Sequence, residues 1–290
     1  MSNRLLEICG DVPLSRSDQW RYFMLGLCQI GQAMGKCVSV KQVRLDFKND
    51  DTRFKIKEGA SPLRVYTDSL MRQVVRTCLL GEGPICDIGC GNGGHSRLFK
   101  DLGETHCYLG LDIRENVGQS FSGRPGMVRC WFVRMSAGEL GLASESAAFV
   151  FSSCVLEHID HVDHAVGEIA RAMRQESYGL HVVPSVWSLF LYLFHGYRRF
   201  APNGLLELFQ QANLLVEEIW ALGGLPSSLF HCMWITLFET IVFGKILRFT
   251  GGMRTGKLLR LYSWLLSLSL RADALIPFAP AGYAVVIRKP

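Results

Sequence analysis

None of the ten cysteines of this sequence forms a CxxC pair. Cys9, Cys28, Cys37, Cys78, Cys86, Cys90, Cys107, Cys130, Cys154 and Cys232 are scattered, several of them inside apolar runs. This argues against a disulfide framework and favours buried, reduced thiols in a cytoplasmic protein. Charge of one sign is also scarce: a net +5 over 290 residues is too small to argue for nucleic acid. The opening residues MSNRLLEICGDVP carry acids early and no sustained apolar core, so no signal peptide is expected. Residues 219–238 hold no charged residue, yet Gly223, Gly224, Pro226, Ser227 and Ser228 interrupt them, and no spanning helix is expected. There is no internal repeat and no low-complexity tract. What remains, 49% hydrophobic and 20% charged, is a globular chain with a sizeable core.

The segments fall into an order. Trp20, Phe23, Met24, Leu27, Ile30 and Met34 recur at helical spacing. VRLDF, a KNDD turn and RFKIK then read as a β-hairpin, with Val43, Leu45 and Phe47 facing Phe54 and Ile56. From residue 61 apolar strands alternate with amphipathic helices: PICDIG, CYLGLDI, VRCWFV, AAFVFSS, GLHVVPS and finally GYAVVIRKP. Such alternation predicts an α/β, doubly wound, mainly parallel sheet. The expected organisation is an N-terminal helix and hairpin cap over 1–60, an α/β core over 61–184, an apolar helical cap with parts of the core over 185–270, and a closing strand over 271–290.

Residues 85–94, ICDIGCGNGG, carry the chemistry. Gly89, Gly91 and Gly94 match a dinucleotide spacing, and glycines between a strand and a helix let a ligand touch backbone. Asp87, two residues before the first glycine, argues against a pyrophosphate, which its carboxylate would repel. It suits a ligand ammonium, such as that of a methionine moiety. Asp112 ends the next strand, where a carboxylate accepts ribose hydroxyls.

Taken together, ICDIGCGNGG, YLGLDI, FSSCVLEHID and VGEIARAM strongly resemble the class I S-adenosylmethionine-dependent methyltransferases, in the small-molecule biosynthetic, type 11-like branch. The resemblance covers about residues 80–185, with weaker support from GYAVVIRKP. VLEHID has no counterpart in dehydrogenases, so an NAD enzyme is disfavoured. The resemblance implies a seven-stranded Rossmann-like sheet whose last strand runs antiparallel. It implies S-adenosyl-L-methionine as cofactor, with Asp87, Gly89, Cys90, Gly91 and Gly93 lining its methionine part. Asp112 would hold the ribose and Ile113 would pack on the adenine. Ser136 and Ala137 would edge the adenine, and Ser153 would close the pocket after the fourth core strand. Tyr66 and Arg64, before the first core strand, are candidates for the sulfonium and the cofactor carboxylate. Ordinary helix packing and a solvated arginine are the alternatives for these two.

Two features depart from the family pattern. Ser136 stands where an acid often takes the adenine amino group, and Ala147 and Ala148 stand where the fourth strand often begins with Phe-Asp. They keep open a cofactor-binding subunit without activity. The acceptor is less legible. Ser152, Ser153, Cys154 and Val155 replace the Asp or Asn, two prolines and aromatic of amine- and base-modifying relatives, and no nucleic-acid partner is expected. A hydroxyl acceptor is expected, with His158 as the candidate general base, while C- or N-methylation of a small natural product stays open. His195 and His231 lie in the cap, where they face the acceptor or pack. His158, His161 and His164, interleaved with Asp160 and Asp163, step progressively around a helix and do not converge on a metal.

Residues 185–270 are more apolar than catalysis requires. Leu229, Phe230, Met233, Trp234, Ile235, Leu237, Phe238, Ile241, Val242 and Phe243 cover nearly every face of one helix. Lys245, Arg248, Arg254, Lys257 and Arg260 follow, with no acid until Asp273. This composition fits a lid, a homodimer interface, or peripheral contact with an anionic leaflet. A small lipophilic, lipid-linked or glycan acceptor is expected in each case.

Overall fold

The computed structural model describes residues 38–79, 81–99, 106–114, 129–191, 198–247 and 254–290, with Ser15, Ser17, Trp20, Met24 and Leu27. Most of the first expected helix lies outside the described residues; Trp20, Met24 and Leu27 are helical and exposed.

Eight strands form one sheet. They are β1 (Lys41–Gln42), β2 (Gly83–Ile88), β3 (His106–Asp112), β4 (Arg129–Arg134), β5 (Ala147–Ser153), β6 (Met173–Pro184), β7 (Leu215–Leu222) and β8 (Gly282–Arg288). Their spatial order is β1-β7-β8-β6-β5-β2-β3-β4. Only β8 runs antiparallel to its neighbours β6 and β7. The expected seven strands with an antiparallel last member are present. An eighth, β1, adds two residues in parallel to the edge of β7, opposite Trp220 and Ala221.

The expected hairpin does not form. Residues Asp50–Lys57 are a helix, α1. Asn49 caps it by accepting from the Asp51 amide, with Asp50 and Asp51 in the first turn and Lys55 and Lys57 in the last. These charges complement the helix dipole at both ends. The alternation of Phe54 and Ile56 is incidental: Thr52 and Ile56, four apart, are buried, whereas Phe54 is exposed.

Helices cover both faces of the sheet. α2 (Pro62–Cys78), capped by Ser61, packs with α6 (Gly256–Ala272) on one face. α3 (Val162–Ala172) and α4 (Pro202–Gln211) pack on the other. Strand residues divide by parity, as a pleat requires. Phe149 and Phe151 of β5 join the first cluster and Val150 the second, and Ala147 joins the second because the register shifts between Ala147 and Phe149. Within the expected cap, β7 belongs to the sheet and α4 packs on it, and the described residues of 225–272 form the two arms of a helical hairpin. Its first arm starts as α5 (Leu225–Phe230) and continues as a wider, π-type helix over His231–Ile246. The anticipated break is absent: Gly223 and Gly224 precede the helix, Pro226 sits in its first turn, and Ser227 and Ser228 continue it. Leu225–Ile246 is thus long and apolar enough to cross a membrane by length and composition alone.

One buried polar junction fastens the hairpin to α2. The Tyr66 hydroxyl donates to Asp273 Oδ2 at 2.8 Å, and the Ser227 amide donates to Asp273 Oδ1 at 2.9 Å. Burial pushes the Asp273 carboxyl up from its usual range, so each donor matters. Tyr66→Phe removes one of them and leaves a buried carboxylate oxygen short of a partner, which costs about 1–3 kcal/mol. Urea denaturation of the variant is expected to show that loss with an unchanged m-value.

Candidate functional site

Strand order reverses between β2 and β5, whose outgoing connections diverge and leave a crevice at their carboxyl ends. The glycine loop lies in this crevice. Gly89 has φ +70°, and a Cβ built on it would lie 2.2 Å from Val155 Cγ2. No other residue fits there. Gly91, with φ +53°, is different: a Cβ built on it would meet no protein atom within 4 Å. The first glycine is therefore required by the protein, and the second leaves bare backbone toward open space. Gly93 lies against the Phe132 ring, and Cys90 is buried, its thiol pushed well above its ordinary range by burial.

Asp87 lies beneath this loop at 1% exposure. Tyr108 donates its hydroxyl to Oδ2, while Oδ1 is buried with no hydrogen-bond partner. His95 Nδ1 stands 3.7 Å from Oδ2, and its ring meets Phe151 edge-on at 5.0 Å. On the far side, His95 Nε2 lies 4.0 Å from Asp68 Oδ1, and Asp68 is ion-paired to Arg64 at 2.7 Å and Lys55 at 3.3 Å. The Arg64 guanidinium reaches over the loop, with Nη2 3.7 Å from where a Cβ on Gly94 would sit. An arginine near the glycines, itself paired to Asp68, and an orphaned carboxylate oxygen on Asp87 suit a zwitterionic amino-acid moiety.

The second carboxylate, Asp112, ends β3. Its Oδ2 accepts from the Gly91 amide at 2.7 Å and its Oδ1 from the Arg114 amide at 3.0 Å. These bonds lock the glycine loop to β3 and leave lone pairs for hydroxyls. Ile113 beside it is 39% exposed, an apolar surface facing out. The Met135 amide donates to the Asp112 carbonyl at 2.8 Å, which brings Ser136 and Ala137 alongside. The Ser136 hydroxyl accepts from the Gly138 amide at 3.2 Å. Asp112, Ile113, Ser136 and Ala137 therefore meet at the ends of two adjacent strands.

The third wall follows β5. Ser153 is half-buried at the strand end, and Cys154 turns the chain with φ +56°. Val155 then presses on Gly89. His158 lies in the next short turn, its side chain 17% exposed and Nε2 3.8 Å from Glu157 Oε1. Glu157 itself is fully enclosed, and burial pushes its carboxyl up to about 7, against the opposing effects of local hydrogen bonds and the nearby Arg199.

Several expected residues lie elsewhere. Tyr66 is 2% exposed, its hydroxyl is spent on Asp273, and its ring borders Gly223, so it is a core residue and not a wall of the cleft. His231 is buried in the hairpin, and burial pushes its imidazole down to about 4, a neutral packing group. His195 lies outside the described residues. His161, just before α3, and His164 on it are exposed, and among the described residues no three His, Cys, Asp or Glu side chains gather as a metal site. Sequence reasoning passed over His95, Asp68 and Glu157. His95 directly follows the glycine run, and Glu157 stands in the quoted VLEHID. A charged group beside an obligatory glycine turn was the available signal.

Known proteins share these features. Residues 86–180 match the sequence model of a methyltransferase domain. A malonyl-[acyl-carrier protein] O-methyltransferase of Methylococcus capsulatus is 32% identical over 114 residues, which are 37% of this chain and 42% of that protein. The chain thus spans less than half the length of this curated relative. Among solved structures, the [4+2]-cyclase SpnF superposes with a TM-score of 0.56 at 17% identity, covering 96% of this chain and 98% of that one. A SAM-dependent methyltransferase of Archaeoglobus fulgidus superposes with a TM-score of 0.50 at 19% identity, covering 83% and 100%. With its strand order, glycine loop and carboxylate pair, the chain has the fold of class I methyltransferases and carries their domain pattern over residues 86–180; the cofactor of such methyltransferases is S-adenosylmethionine.

Proposed function

We propose that this protein is a cytoplasmic S-adenosylmethionine-dependent O-methyltransferase acting on a small lipophilic or lipid-linked acceptor. The observation that carries the cofactor part is the cradle at Gly91: bare backbone between the orphaned Asp87 Oδ1 and the Asp112 carboxylate. In this reading Asp87 holds the cofactor's ammonium, Arg64 its carboxylate and Asp112 its ribose, while Ile113, Ser136 and Ala137 border the adenine. When bound, S-adenosylmethionine supplies an activated methyl group. The protein's task is to align a nucleophile with it and exclude water. His158, on the segment that leaves β5, takes on an imidazole nitrogen the proton that the acceptor hydroxyl releases.

The acceptor side rests on the apolar wall at the carboxyl edge of the sheet. Trp187, in the short turn after β6, meets Phe278 at 4.8 Å. Thr236 of the hairpin donates to the Leu191 carbonyl at 2.5 Å, tying the two segments together. Such walls favour apolar ligands with a few placed polar groups. The malonyl-[acyl-carrier protein] relative matches 37% of this chain and does not assign its acceptor to it.

Methyl-labelled cofactor and a cell extract, followed by solvent partition, test this reading. Label is expected in the organic phase in an ester or ether, and His158→Ala is expected to lower kcat by about 10²–10⁴-fold. Label confined to polar products, or an unchanged turnover in the variant, contradicts the corresponding part.

Glu157 provides a test that needs no substrate. Its carboxyl is raised from an ordinary 4.5 to about 7. Below 4.5 the folded and unfolded chains both hold the proton, so burial costs nothing. Between 4.5 and 7 the unfolded chain releases it first, and stability falls as pH rises. Glu157→Gln escapes this loss. The stability gap between variant and parent is expected to open over that window and level off above it near ~3 kcal/mol, read by denaturation at a series of pH values.

A further inference from the structure

The helical hairpin carries exposed surface that the fold does not use. Its first arm, Leu225–Ile246, is largely uncovered. Leu229, Met233 and Leu237 form an exposed stripe at four-residue steps, and Ile246 and Leu247 end the arm at 67% and 59% exposure. The returning arm, α6, shows Leu258, Leu261, Trp264 and Leu268 at three- and four-residue steps, all exposed. Both arms turn their other faces inward: Ser227, Ser228 and His231 from one, and Tyr262, Leu266 and Leu270 from the other, are buried. An apolar stripe along an already packed helix marks a surface that meets something apolar.

The charges on the hairpin say what it meets. Between Leu225 and Ala272 the sequence holds one acid, Glu239, and Asp273 follows directly. Neither presents its charge outward. Glu239 is gripped by Arg254 through Nε at 3.0 Å and Nη2 at 2.8 Å, and Asp273 is buried against Tyr66 and Ser227. The exposed charged residues among those described are Lys245, Lys257, Arg260 and Arg271. Three of these four stand where the arms turn, beside Ile246, Leu247, Leu258 and Leu261. Two-fold self-association through this face would bring together two rims whose exposed charges are all positive, which disfavours a second copy as the occupant. A leaflet of anionic lipid offers acyl chains to the stripe and negative charge to the rim.

We propose that the two arms of this hairpin, through their apolar stripes and the cations beside them, seat the protein on an anionic membrane surface. The hairpin springs from the carboxyl end of β7, the same edge of the sheet as the glycine loop. Docking therefore brings the cleft's edge of the sheet toward the lipid. This proposal is independent of methyl transfer, because vesicle binding needs neither cofactor nor acceptor.

Co-sedimentation of the full chain with phosphatidylcholine vesicles, with and without phosphatidylserine, tests it. Binding is expected only with phosphatidylserine and is expected to weaken in high salt. Lys257→Glu with Arg260→Glu is expected to weaken binding at least tenfold, since each cation near such a surface contributes about fivefold. Leu261→Ser with Trp264→Ser is expected to weaken it comparably. Trp131→Ser, which removes an exposed tryptophan on β4, is expected to bind like the parent. Light scattering of each protein in parallel is expected to give a monomer. No binding to phosphatidylserine vesicles, binding by both double variants as tight as the parent's, or a stable dimer that Leu261→Ser with Trp264→Ser dissociates would each overturn the proposal. In the last case the stripe is a subunit interface.

Discussion

Between the ends of β2 and β5 there is room for backbone but not for a side chain. Val155 occupies the space that a Cβ on Gly89 would need, and that contact holds the segment after β5 against the glycine loop. The two parallel strands pair in register up to Ile88 and Ser152, and their chains then part. Everything assigned to the site hangs from this parting. The glycine loop reaches β3 through the bond from the Gly91 amide to Asp112, and β4 follows through the Met135 amide. The wall that carries His158 and Glu157 starts one residue after the contact, at Leu156. A methyl group added at Gly89 would loosen all three walls together.

Beneath the loop lies a row of polar groups whose enclosure needs mutual support. Lys55, Arg64, Asp68, His95, Asp87 and Tyr108 run from α1 and α2 to β3. Buried carboxylates are costly unless partnered. Asp68 has two cations, whereas Asp87 has one hydroxyl donor and a distant imidazole. The deficit falls on Asp87, whose Oδ1 is the carboxylate oxygen left without a partner.

Much of this was legible in the sequence, for identifiable reasons. β2, β3, β5 and β8 are buried on both faces and read as apolar runs, so they were found. β7 was not: Glu217 and Glu218 stand side by side at a bulge opposite β8, and their charges break the alternation. The false hairpin arose from the opposite error, a period-two pattern in a helix that is fixed by its Asn49 cap and terminal charges. Asp87, Asp112 and the glycines were named because their chemistry is local to one motif. His95 and Asp68 were not, because their role comes from α2 crossing the loop, a tertiary event. For Tyr66 the choice between sulfonium and helix packing stayed open for the same reason. Its partner Asp273 lies 207 residues away. The hairpin's inner face was concealed too, since a helix that is apolar all round gives no phase.

The cofactor assignment makes its sharpest claim about Gly91, where the structure offers bare backbone and nothing of its own to fill the space. Isothermal titration of the parent and Gly91→Ala with S-adenosylmethionine, and separately with NAD, tests this most directly. The account predicts saturable S-adenosylmethionine binding by the parent, no heat with NAD, and binding lost in Gly91→Ala while its circular dichroism stays that of the parent. A parent that binds NAD in preference, or a Gly91→Ala variant that binds S-adenosylmethionine undiminished, would contradict it.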